Sequence, residues 1–366
     1  MSRRVAARAA LLDEVPGALI IDEIKVDSPG PSEVLIRTAA AGVCHSELHF
    51  MDGAWTTPLP AVLGHEASGT VIAVGDHVEY VAVGDSVVGC LTPFCGQCEY
   101  CLSGRLALCR SAMFARPPGA PARLEWQGRP VNQFVNLSAF AERMLVHEHA
   151  LVKIDPEVAL DRAALTGCAV ITGIGAVLNT ARMPAGSTVA VVGCGGIGLN
   201  AIQGARLAAA RTVVAVDVSP VKLELARHFG ATAVIDASRE AAVTAVRAIT
   251  GDGVDFAFEA VGAKSTSEQC WRMLRRGGTA VIVGMLAQGV TVELLGTDFI
   301  DEKSMTGSNM GSNRFRTDIP RYLELWQQGR IDLDTLISDR IHLDDVNAAY
   351  ASLREGTVTR QVVLFD

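Results

Sequence analysis

The sequence has few aromatic residues and an excess of acidic over basic ones. Its 366 residues include 32 lysines and arginines against 40 aspartates and glutamates, a net charge of −8, and aromatic residues make up 5%. It has no run of basic residues interleaved with aromatic ones. Such a chain lacks the positive surface that binds phosphate backbones or anionic lipids. We therefore expect neither nucleic acid nor membrane as a partner.

Long uncharged stretches are present, but they are rich in glycine and small polar residues. Residues 163–181 and 187–205 each run for 19 residues without a charge, long enough to cross a bilayer if length alone counted. The second stretch reads as a strand, a glycine loop and a helix, which favours a buried α/β core. With 49% hydrophobic and 20% charged residues, the chain should form two ordinary domain cores.

Four of the nine cysteines form a compact cluster in the pattern C-x2-C-x2-C-x7-C. Two-residue gaps in a loop turn successive thiolates toward one centre, as a tetrahedral zinc ion requires. Free or disulfide-paired cysteines are the alternative. Four thiolates fill the coordination sphere, so the spacing predicts a structural zinc loop near 95–109 that takes no part in the chemistry. Its ligands are Cys95, Cys98, Cys101 and Cys109.

A glycine loop joins an apolar run to a helical stretch. Residues 188–192 lead into the pattern G-x-G-x-x-G, and Asp217 ends the next apolar run, 19 residues after the last glycine. Glycines permit a tight turn and close approach to a pyrophosphate, and the later acid can bind ribose hydroxyls. A glycine-rich turn without a ligand is the alternative. The predicted dinucleotide loop comprises Gly193, Gly195, Gly196, Ile197 and Gly198.

Cys44 and His65 are a further pair of zinc-ligand types, about twenty residues apart. Each has a carboxylate close by, Glu47 and Glu66 respectively, that can orient or balance a ligand. A core or surface position without a metal is the alternative for each of the two. The pair alone therefore leaves the location of the chemistry open.

Together these motifs resemble the zinc-dependent alcohol dehydrogenases of the medium-chain dehydrogenase/reductase superfamily over nearly the whole chain. The resemblance implies that Cys44, His65 and Cys168 bind a catalytic zinc ion, so that the chain would hold two zinc ions. Three protein ligands leave one position open for a substrate oxygen. Spacing alone leaves three other cysteines equally available: Cys90, Cys194 and Cys270.

The resemblance also implies how protons and cofactor are handled. Ser46 would bond the substrate oxygen and pass its proton through the nicotinamide ribose to His49. His45 would touch the pyrophosphate, Glu47 would orient His65, and Glu66 would lie behind the metal. Further positions expected at NAD are Thr172, Lys222, Val261, Val283 and Arg360.

The substrate is expected to be apolar. Relatives that oxidise the glutathione adduct of formaldehyde carry an acid at the position of Trp55 and an arginine near Met113, and neither is present here. Arg116 lies close by in the sequence, so a charged substrate stays open. The candidate pocket residues are Trp55, Leu91, Met113, Phe134 and Met285.

The pattern of elements predicts an α/β protein with two domains. Residues 1–170 show the short alternating runs and glycine-containing turns that are typical of a β-rich domain. The resemblance implies that residues 313–366 belong to the same domain, a GroES-like catalytic domain. Between them, in 171–312, strands and helices alternate as in a Rossmann doubly wound parallel sheet that binds NAD.

These observations predict an NAD-dependent zinc alcohol dehydrogenase that converts a primary aliphatic or aromatic alcohol to its aldehyde. Three alternatives remain: a nicotinoprotein that retains its NAD, a thiol-adduct formaldehyde dehydrogenase, and an NAD-binding module without activity. With seven of nine cysteines assigned to zinc, a reducing compartment and a cytoplasmic location are expected. By resemblance, the protein is expected to be a homodimer or homotetramer.

Overall fold

The computed structural model describes residues 4–356 and 358–365, so residues 1–3, 357 and 366 of the predicted first domain lie outside the description. The chain divides into two compact units. The first comprises Met1–Cys168, Arg314–Gln328 and Leu333–Asp366, and the second comprises Ala169–Asn313 and Gly329–Asp332.

The described residues form eighteen β-strands and ten α-helices. The strands are β1 Val5–Leu12, β2 Ile20–Val26, β3 Glu33–Val43, β4 Ala61–Val62, β5 Glu66–Val74, β6 Ser86–Gly89, β7 Leu124–Trp126, β8 Arg129–Gln133, β9 Arg143–His147, β10 Leu151–Lys153, β11 Thr188–Val192, β12 Thr212–Asp217, β13 Ala233–Asp236, β14 Val254–Glu259, β15 Leu274–Ile282, β16 Ser304–Gly307, β17 Asp339–Ile341 and β18 Gln361–Leu364. The helices are α1 His45–Met51, α2 Glu99–Leu102, α3 Leu160–Leu165, α4 Ile171–Gly175, α5 Gly196–Leu207, α6 Pro220–Phe229, α7 Ala242–Thr250, α8 Lys264–Met273, α9 Phe315–Gln327 and α10 Val346–Glu355.

The first unit is rich in β-structure. Five strands close into a barrel in the order β1-β2-β7-β8-β4, and a seven-stranded sheet runs β10-β6-β5-β3-β18-β17 with β9 also paired to β3. Its larger core gathers fully buried apolar side chains such as Ile36 of β3, Val71 of β5 and Val346 of α10. Burial of these side chains holds β3, β5 and α10 against one another, which fixes the frame of the site described below.

Strand register in this sheet brings distant residues to one place. Antiparallel pairing sets Gly42 of β3 opposite Glu66 of β5, and Val43 opposite Gln361 of β18. A side chain at Gly42 would lie 2.2 Å from a Glu66 carboxylate oxygen, so any larger residue there would displace the Glu66 side chain. The segments that carry Cys44, His65 and residue 360 therefore meet at the same end of the sheet.

The second unit contains one six-stranded sheet in the order β13-β12-β11-β14-β15-β16. All of its strand pairs are parallel, and helices α5 to α8 connect successive strands. The central strands are buried on both faces, as the apolar runs that predicted them require. This is the doubly wound parallel sheet expected from the sequence, and that prediction is confirmed.

The division differs from the predicted one in one short segment and at its boundaries, where Ala169, Val170 and Asn313 group with the second unit. Gly329–Asp332, predicted to belong to the first domain, groups with the second unit. Its backbone is tied to α5, because the Asp332 N–H donates to Gln203 Oε1 at 2.6 Å and Arg206 donates to the Arg330 carbonyl at 2.6 Å. Such contacts between distant residues leave no signal in local sequence patterns.

One helical stretch, Leu160–Thr180, is long and apolar enough to span a membrane by length and composition. In its most apolar window, 83% is buried inside the protein. A core helix passes the same test, so this stretch is no argument for a membrane span. Within it, Thr166–Val170 and Ala176–Thr180 are π-helical turns.

Candidate active site

The three residues expected to bind a catalytic metal ion lie together in the first unit. The ligand atoms of Cys44, His65, Glu66 and Cys168 are all within 4.8 Å of one another, and all four residues are buried. His65 Nε2 is 3.3 Å from Cys168 Sγ. Two thiols and an imidazole at this spacing match the donor set of a tetrahedral zinc site.

Local structure explains how each ligand reaches the cluster. Cys44 precedes the first turn of α1, where its backbone N–H donates to Glu47 Oε2 at 3.0 Å. His65 directly precedes β5, and Gly64 before it has a positive φ of 91° that most residues avoid. Cys168 lies in the π-helical turn Thr166–Val170. Such turns occur often at functional sites.

The cluster is electrostatically suited to a cation. A hydrogen bond from Cys168 holds the pKa of Cys44 well below its usual range, and the same bond together with burial raises the pKa of Cys168. Burial opposes charge on His65, but Glu47 and Cys44 outweigh it and raise the pKa of His65. A metal ion would replace the protons that these three groups share.

Glu66 contributes a carboxylate without a hydrogen bond. It is fully buried, and burial raises its pKa to about 7 although Arg360 opposes the rise. Arg360 Nη1 is 3.1 Å from Glu66 Oε1, but neither carboxylate oxygen makes a well-directed hydrogen bond among the described residues. A buried carboxylate that lacks a directed hydrogen bond and lies beside two thiols also fits a bound cation.

Arg360 is predicted to contact the cofactor, and in the structure it lies against the cluster of Cys44, His65, Glu66 and Cys168. The side chain is buried beside Glu66, and Nη1 also donates to the Val43 carbonyl at 2.9 Å. Its Nε has no hydrogen-bond partner among the described residues. The pairing with Glu66 could not be predicted from the sequence.

The four clustered cysteines also converge. The Sγ atoms of Cys98 and Cys101 are 3.5 Å apart, and those of Cys95 and Cys101 are 3.9 Å apart. Cys98 and Cys109 are likewise separated by 3.9 Å. Thiolates around zinc lie roughly 3.8 Å apart, given a Zn–S distance of about 2.3 Å in a tetrahedron. No disulfide forms among the described cysteines, and the sulfur–sulfur distances fit zinc ligands better than paired cysteines.

The glycine loop has the shape that a dinucleotide requires. Gly193 has a φ of 93°, and a side chain at Gly198 would lie 1.7 Å from the Gly193 carbonyl oxygen. By contrast, a side chain at Gly195 would point into open space. The Gly195 position at the start of α5 is unobstructed and this helix end has no side-chain cap, which fits a pyrophosphate of NAD at the helix N-terminus.

Asp217 lies at the end of β12 next to this loop. Its Oδ2 accepts the Cys194 N–H at 2.7 Å, and its Oδ1 accepts those of Val218 and Ser219. These bonds fix the carboxylate beside the glycine loop. Its remaining lone pairs are available to ribose hydroxyls.

The other residues expected at the cofactor have different surroundings. Thr172 is buried and donates to Met310 Sδ at 3.4 Å. Val261 is exposed, and three others are partly exposed: Lys222, Ile197 and Val283. His45 is exposed in the first unit, with its ring 6.0 Å from that of His49. Contact of these residues with NAD stays a prediction.

Ser46 and His49 follow Cys44 on α1. Ser46 Oγ donates to Cys44 Sγ at 3.2 Å and lies 3.5 Å from His65 Nε2. His49 is partly buried, and that burial lowers its pKa. Ser46 therefore lies against Cys44 and His65. His49, which follows it on α1, is neutral at pH 7.

One aromatic ring lies beside the cluster, and two more rings extend from it. The ring of Phe134 is 6.0 Å from that of His65 and 4.8 Å from that of Phe50. Trp55 lies 6.4 Å from Phe50. Phe50 is an addition to the predicted set, and its position on α1 next to His49 could have indicated it.

The other three predicted pocket residues differ in burial and in the unit to which they belong. Leu91 is partly buried and packs on the larger core of the first unit. Met113 is 41% exposed, in the short helical turn Ala112–Phe114. Met285 belongs to the second unit. Met113 is thus a surface residue in this structure, although neighbouring atoms cover part of it.

Two family models match the chain, and curated relatives align with nearly its whole length. Residues 30–156 match the family described as alcohol dehydrogenase GroES-like domain, and residues 196–327 match zinc-binding dehydrogenase. A Mycobacterium tuberculosis protein provisionally named alcohol dehydrogenase D is 38% identical over 97% of this chain and 99% of its own length. The S-(hydroxymethyl)glutathione dehydrogenase of Haemophilus influenzae is 35% identical, over 98% of this chain and 97% of that protein.

A solved structure gives the same result. The benzyl alcohol dehydrogenase of Acinetobacter calcoaceticus superposes with a TM-score of 0.93 at 32% identity, covering 99% of this chain and 100% of the other. Sequence, fold and the two cysteine-containing clusters are therefore consistent with one another. The chain belongs to the zinc-dependent alcohol dehydrogenase family of the medium-chain dehydrogenase/reductase superfamily, and is an oxidoreductase.

Proposed function

We propose that the protein is an NAD-dependent zinc alcohol dehydrogenase that converts a primary alcohol, aliphatic or aromatic, to its aldehyde. The observation that carries the proposal is the buried cluster of Cys44, His65 and Cys168 with the Ser46 hydroxyl 3.2 Å from Cys44 Sγ. Three soft ligands leave one tetrahedral position open. A hydroxyl beside that position can exchange a proton with an alcohol.

Two zinc ions per chain fit the donor sets. Cys44, His65 and Cys168 would hold the catalytic ion, and the four cysteines of the 95–109 loop would hold a structural one. When bound, the catalytic ion supplies a Lewis acid that favours loss of the alcohol proton. NAD would bind with its pyrophosphate at the open Gly195 position and its ribose at Asp217.

The chain's own side chains then move the proton. Ser46 would accept the hydroxyl proton of the substrate, and the proton would leave toward His49. Burial lowers the pKa of His49, so this imidazole is neutral and able to accept a proton at pH 7. Glu47 binds His65 Nδ1 at 2.8 Å, which directs Nε2 toward the cluster.

The substrate is proposed to be mainly apolar, medium-chain or aromatic. Phe134 offers a ring surface close to His65, and Phe50 and then Trp55 extend that surface away from it. An apolar wall favours each buried CH₂ by about 0.8 kcal/mol, so longer chains should bind better until the space is filled. The likeness to a benzyl alcohol dehydrogenase supports the aromatic option.

A second candidate is oxidation of a thiol adduct of formaldehyde, because a relative with 35% identity is an S-(hydroxymethyl)glutathione dehydrogenase. Arg116 was the cation that kept this option open. It is already bound: Nη2 is 2.6 Å from Glu33 Oε2 and Nη1 is 2.6 Å from Asp27 Oδ2. Its N–H groups also bond the carbonyls of Ser28 and Pro121. A guanidinium held in this way is a poor receptor for a substrate carboxylate, so we favour the simple alcohol.

We also propose a homodimer or homotetramer in the cytoplasm. β16 is the last strand of the six-stranded sheet. The nearby segment exposes large apolar side chains, among them Leu295, Phe299 and Ile300. A second copy would cover such a surface. Two clusters of reduced cysteines suit a reducing compartment.

The test is a substrate series with NAD. Values of kcat/KM are measured from ethanol to octanol, with benzyl alcohol beside them, and separately with formaldehyde in the presence and absence of glutathione. We expect kcat/KM to rise with chain length and benzyl alcohol to be a good substrate. Ethanol or a polyol as the best substrate would contradict the apolar pocket, and glutathione-dependent oxidation of formaldehyde would favour the second candidate.

A further inference from the structure

Tyr350 is a buried phenol on α10 whose hydroxyl reaches Glu47, the hydrogen-bond partner of His65. The residue is 1% exposed, and its Oη donates to Glu47 Oε2 at 2.8 Å. Burial raises the pKa of Tyr350 well above its usual value, so the hydroxyl keeps its proton and remains a donor. The bond joins residues 303 positions apart in the sequence.

Glu47, the acceptor of this bond, has two well-defined sides. Oε1 accepts the His65 Nδ1–H at 2.8 Å. Oε2 accepts the Cys44 backbone N–H at 3.0 Å together with the Tyr350 hydroxyl. Two donors on Oε2 hold the carboxylate plane, and Oε1 is thereby kept on His65.

Removal of the hydroxyl would change this arrangement. Glu47 is fully buried. When a buried carboxylate loses a hydrogen-bond donor, the free-energy cost of its burial rises and the group is freer to rotate. Its rotation would release His65 Nδ1, whose bond determines the orientation and tautomer of the ring. The imidazole would then be held less firmly with Nε2 beside Cys168 Sγ.

We propose that Tyr350 is a positioning residue of the catalytic metal centre, which acts through Glu47 to hold His65 in the geometry that binds zinc. The inference rests on the proposed zinc function and deepens it, because it makes the C-terminal helix α10 part of the metal site. Groups in this outer position typically change metal affinity by roughly 10- to 100-fold when they are altered.

A purely packing role is the competing explanation. The Tyr350 ring meets the Phe140 ring edge-on at 6.3 Å, inside the larger core of the first unit. Tyr350→Phe keeps this ring and removes only the hydroxyl. Tyr80→Phe is a matched control, since its hydroxyl accepts a backbone N–H from Lys153 at 3.3 Å and lies on a different bond network.

The experiment measures zinc retention rather than turnover. Zinc-loaded wild type, Tyr350→Phe and Tyr80→Phe are titrated with a chromophoric chelator, and the remaining zinc is counted by elemental analysis. We expect Tyr350→Phe to lose one of its two zinc ions at roughly 10- to 100-fold lower chelator concentration, with the other retained. In the Co²⁺-substituted variant, the visible absorption bands should shift because the imidazole ligand is displaced. Tyr80→Phe should match wild type in both measurements.

A double-mutant cycle tests the route of the effect. If Tyr350 acts through Glu47, Tyr350→Phe should add little to the zinc loss that Glu47→Ala already causes. Additive losses would overturn the proposed route. Unchanged zinc retention and Co²⁺ spectrum in Tyr350→Phe, with only a lower melting temperature, would overturn the positioning role. A wild type that binds fewer than two zinc ions would instead refute the proposed function itself.

Discussion

At the scale of single residues, Asp217 combines a structural and a binding position. Its carboxylate accepts three backbone N–H groups, from Cys194, Val218 and Ser219. The negative charge is therefore fixed beside the glycine loop and cannot turn away from a bound nucleotide. A ribose with free hydroxyls suits it, whereas a phosphate on that ribose does not.

We accordingly predict a preference for NAD over NADP. Two like charges about 4 Å apart repel by roughly 4 kcal/mol at an effective dielectric near 20, and by less where water screens them. We expect kcat/KM for NAD to exceed that for NADP by at least about 30-fold, and Asp217→Asn to narrow the ratio. Kinetics with both cofactors measure it. Asp236→Asn is the control, because it removes the same charge from the neighbouring strand, where Asp236 lies opposite Asp217 in the β12–β13 pairing. Comparable values for the two cofactors in wild type would refute the prediction.

A second residue-level prediction concerns the proton route through Ser46 and His49. General acid–base assistance typically contributes 10²- to 10⁴-fold, and the hydroxyl beside the metal ligands should matter more than a base that solvent can replace. We expect Ser46→Ala to lose most activity and His49→Gln to lose less. Burial lowers the pKa of His49, so the activity it supports should fall only in acid, and this inflection should vanish in His49→Gln.

Profiles of kcat/KM against pH for both variants provide the measurement. Ser238→Ala, which changes an exposed hydroxyl bonded to Asp236, serves as the control. Full activity in Ser46→Ala would mean that the proton leaves by another route.

At the scale of elements, the cysteine loop is anchored by the folded domain around it. The Phe94 carbonyl, just before the first cysteine, lies 2.7 Å from His149 Nδ1. On the far side, Arg123 donates to the Phe114 carbonyl at 2.6 Å. Between these anchors only the short helix α2 and a few turns give regular structure. A metal ion is then the natural source of order inside the loop.

Loss of this ion should therefore affect stability and not the chemistry. We predict that Cys98→Ser retains the catalytic zinc and lowers the melting temperature by roughly 5 °C or more, as a loss of 2 kcal/mol would do in a domain of this size. Cys44→Ser is the paired variant, expected to keep the fold and lose turnover. Elemental analysis should give two zinc ions for wild type and one for each variant. One zinc ion or none in active wild type would contradict both assignments.

At the scale of the whole molecule, burial of charged and titratable groups sets the response to pH. Burial lowers the pKa of His147 to about 4, with the neighbouring His149 acting in the same direction. Glu148, Arg123 and Glu33 are the other charged groups that act on it. The unfolded chain binds this proton from about pH 6.5, so unfolding is favoured as the pH falls from there to 4.

We predict that His147 lowers the free energy of unfolding by up to about 3 kcal/mol as the pH falls from 6.5 to 4. His147→Gln should flatten the dependence of the free energy of unfolding on pH within this window. Denaturant titrations at several pH values measure it, with the exposed His77→Gln as control. Equal slopes for wild type and His147→Gln would argue against the buried neutral histidine.

Local motifs were predictable from the sequence, while the partners of most site residues were not. The four clustered cysteines and the glycine loop each lie within one short segment, where spacing limits the geometry. Cys168 is 103 residues from His65, and only the family resemblance singled it out. The bonds of Tyr350 to Glu47 and of Arg360 to Val43 span 303 and 317 residues. Such pairs depend on strand register and helix packing, which no local pattern encodes.

The π-helical turn at Thr166–Val170 makes the catalytic cluster sensitive to chain length as well as to residue identity. A π turn contains one residue more than the α-helical turn it replaces. Each residue of an α-helix adds about 100° of rotation about the axis. Deletion of Gly167, which packs closely on the Gly89 carbonyl, would thus turn Cys168 away from His65 while every ligand is still encoded. We therefore expect the protein to tolerate neither an insertion nor a deletion in this short segment.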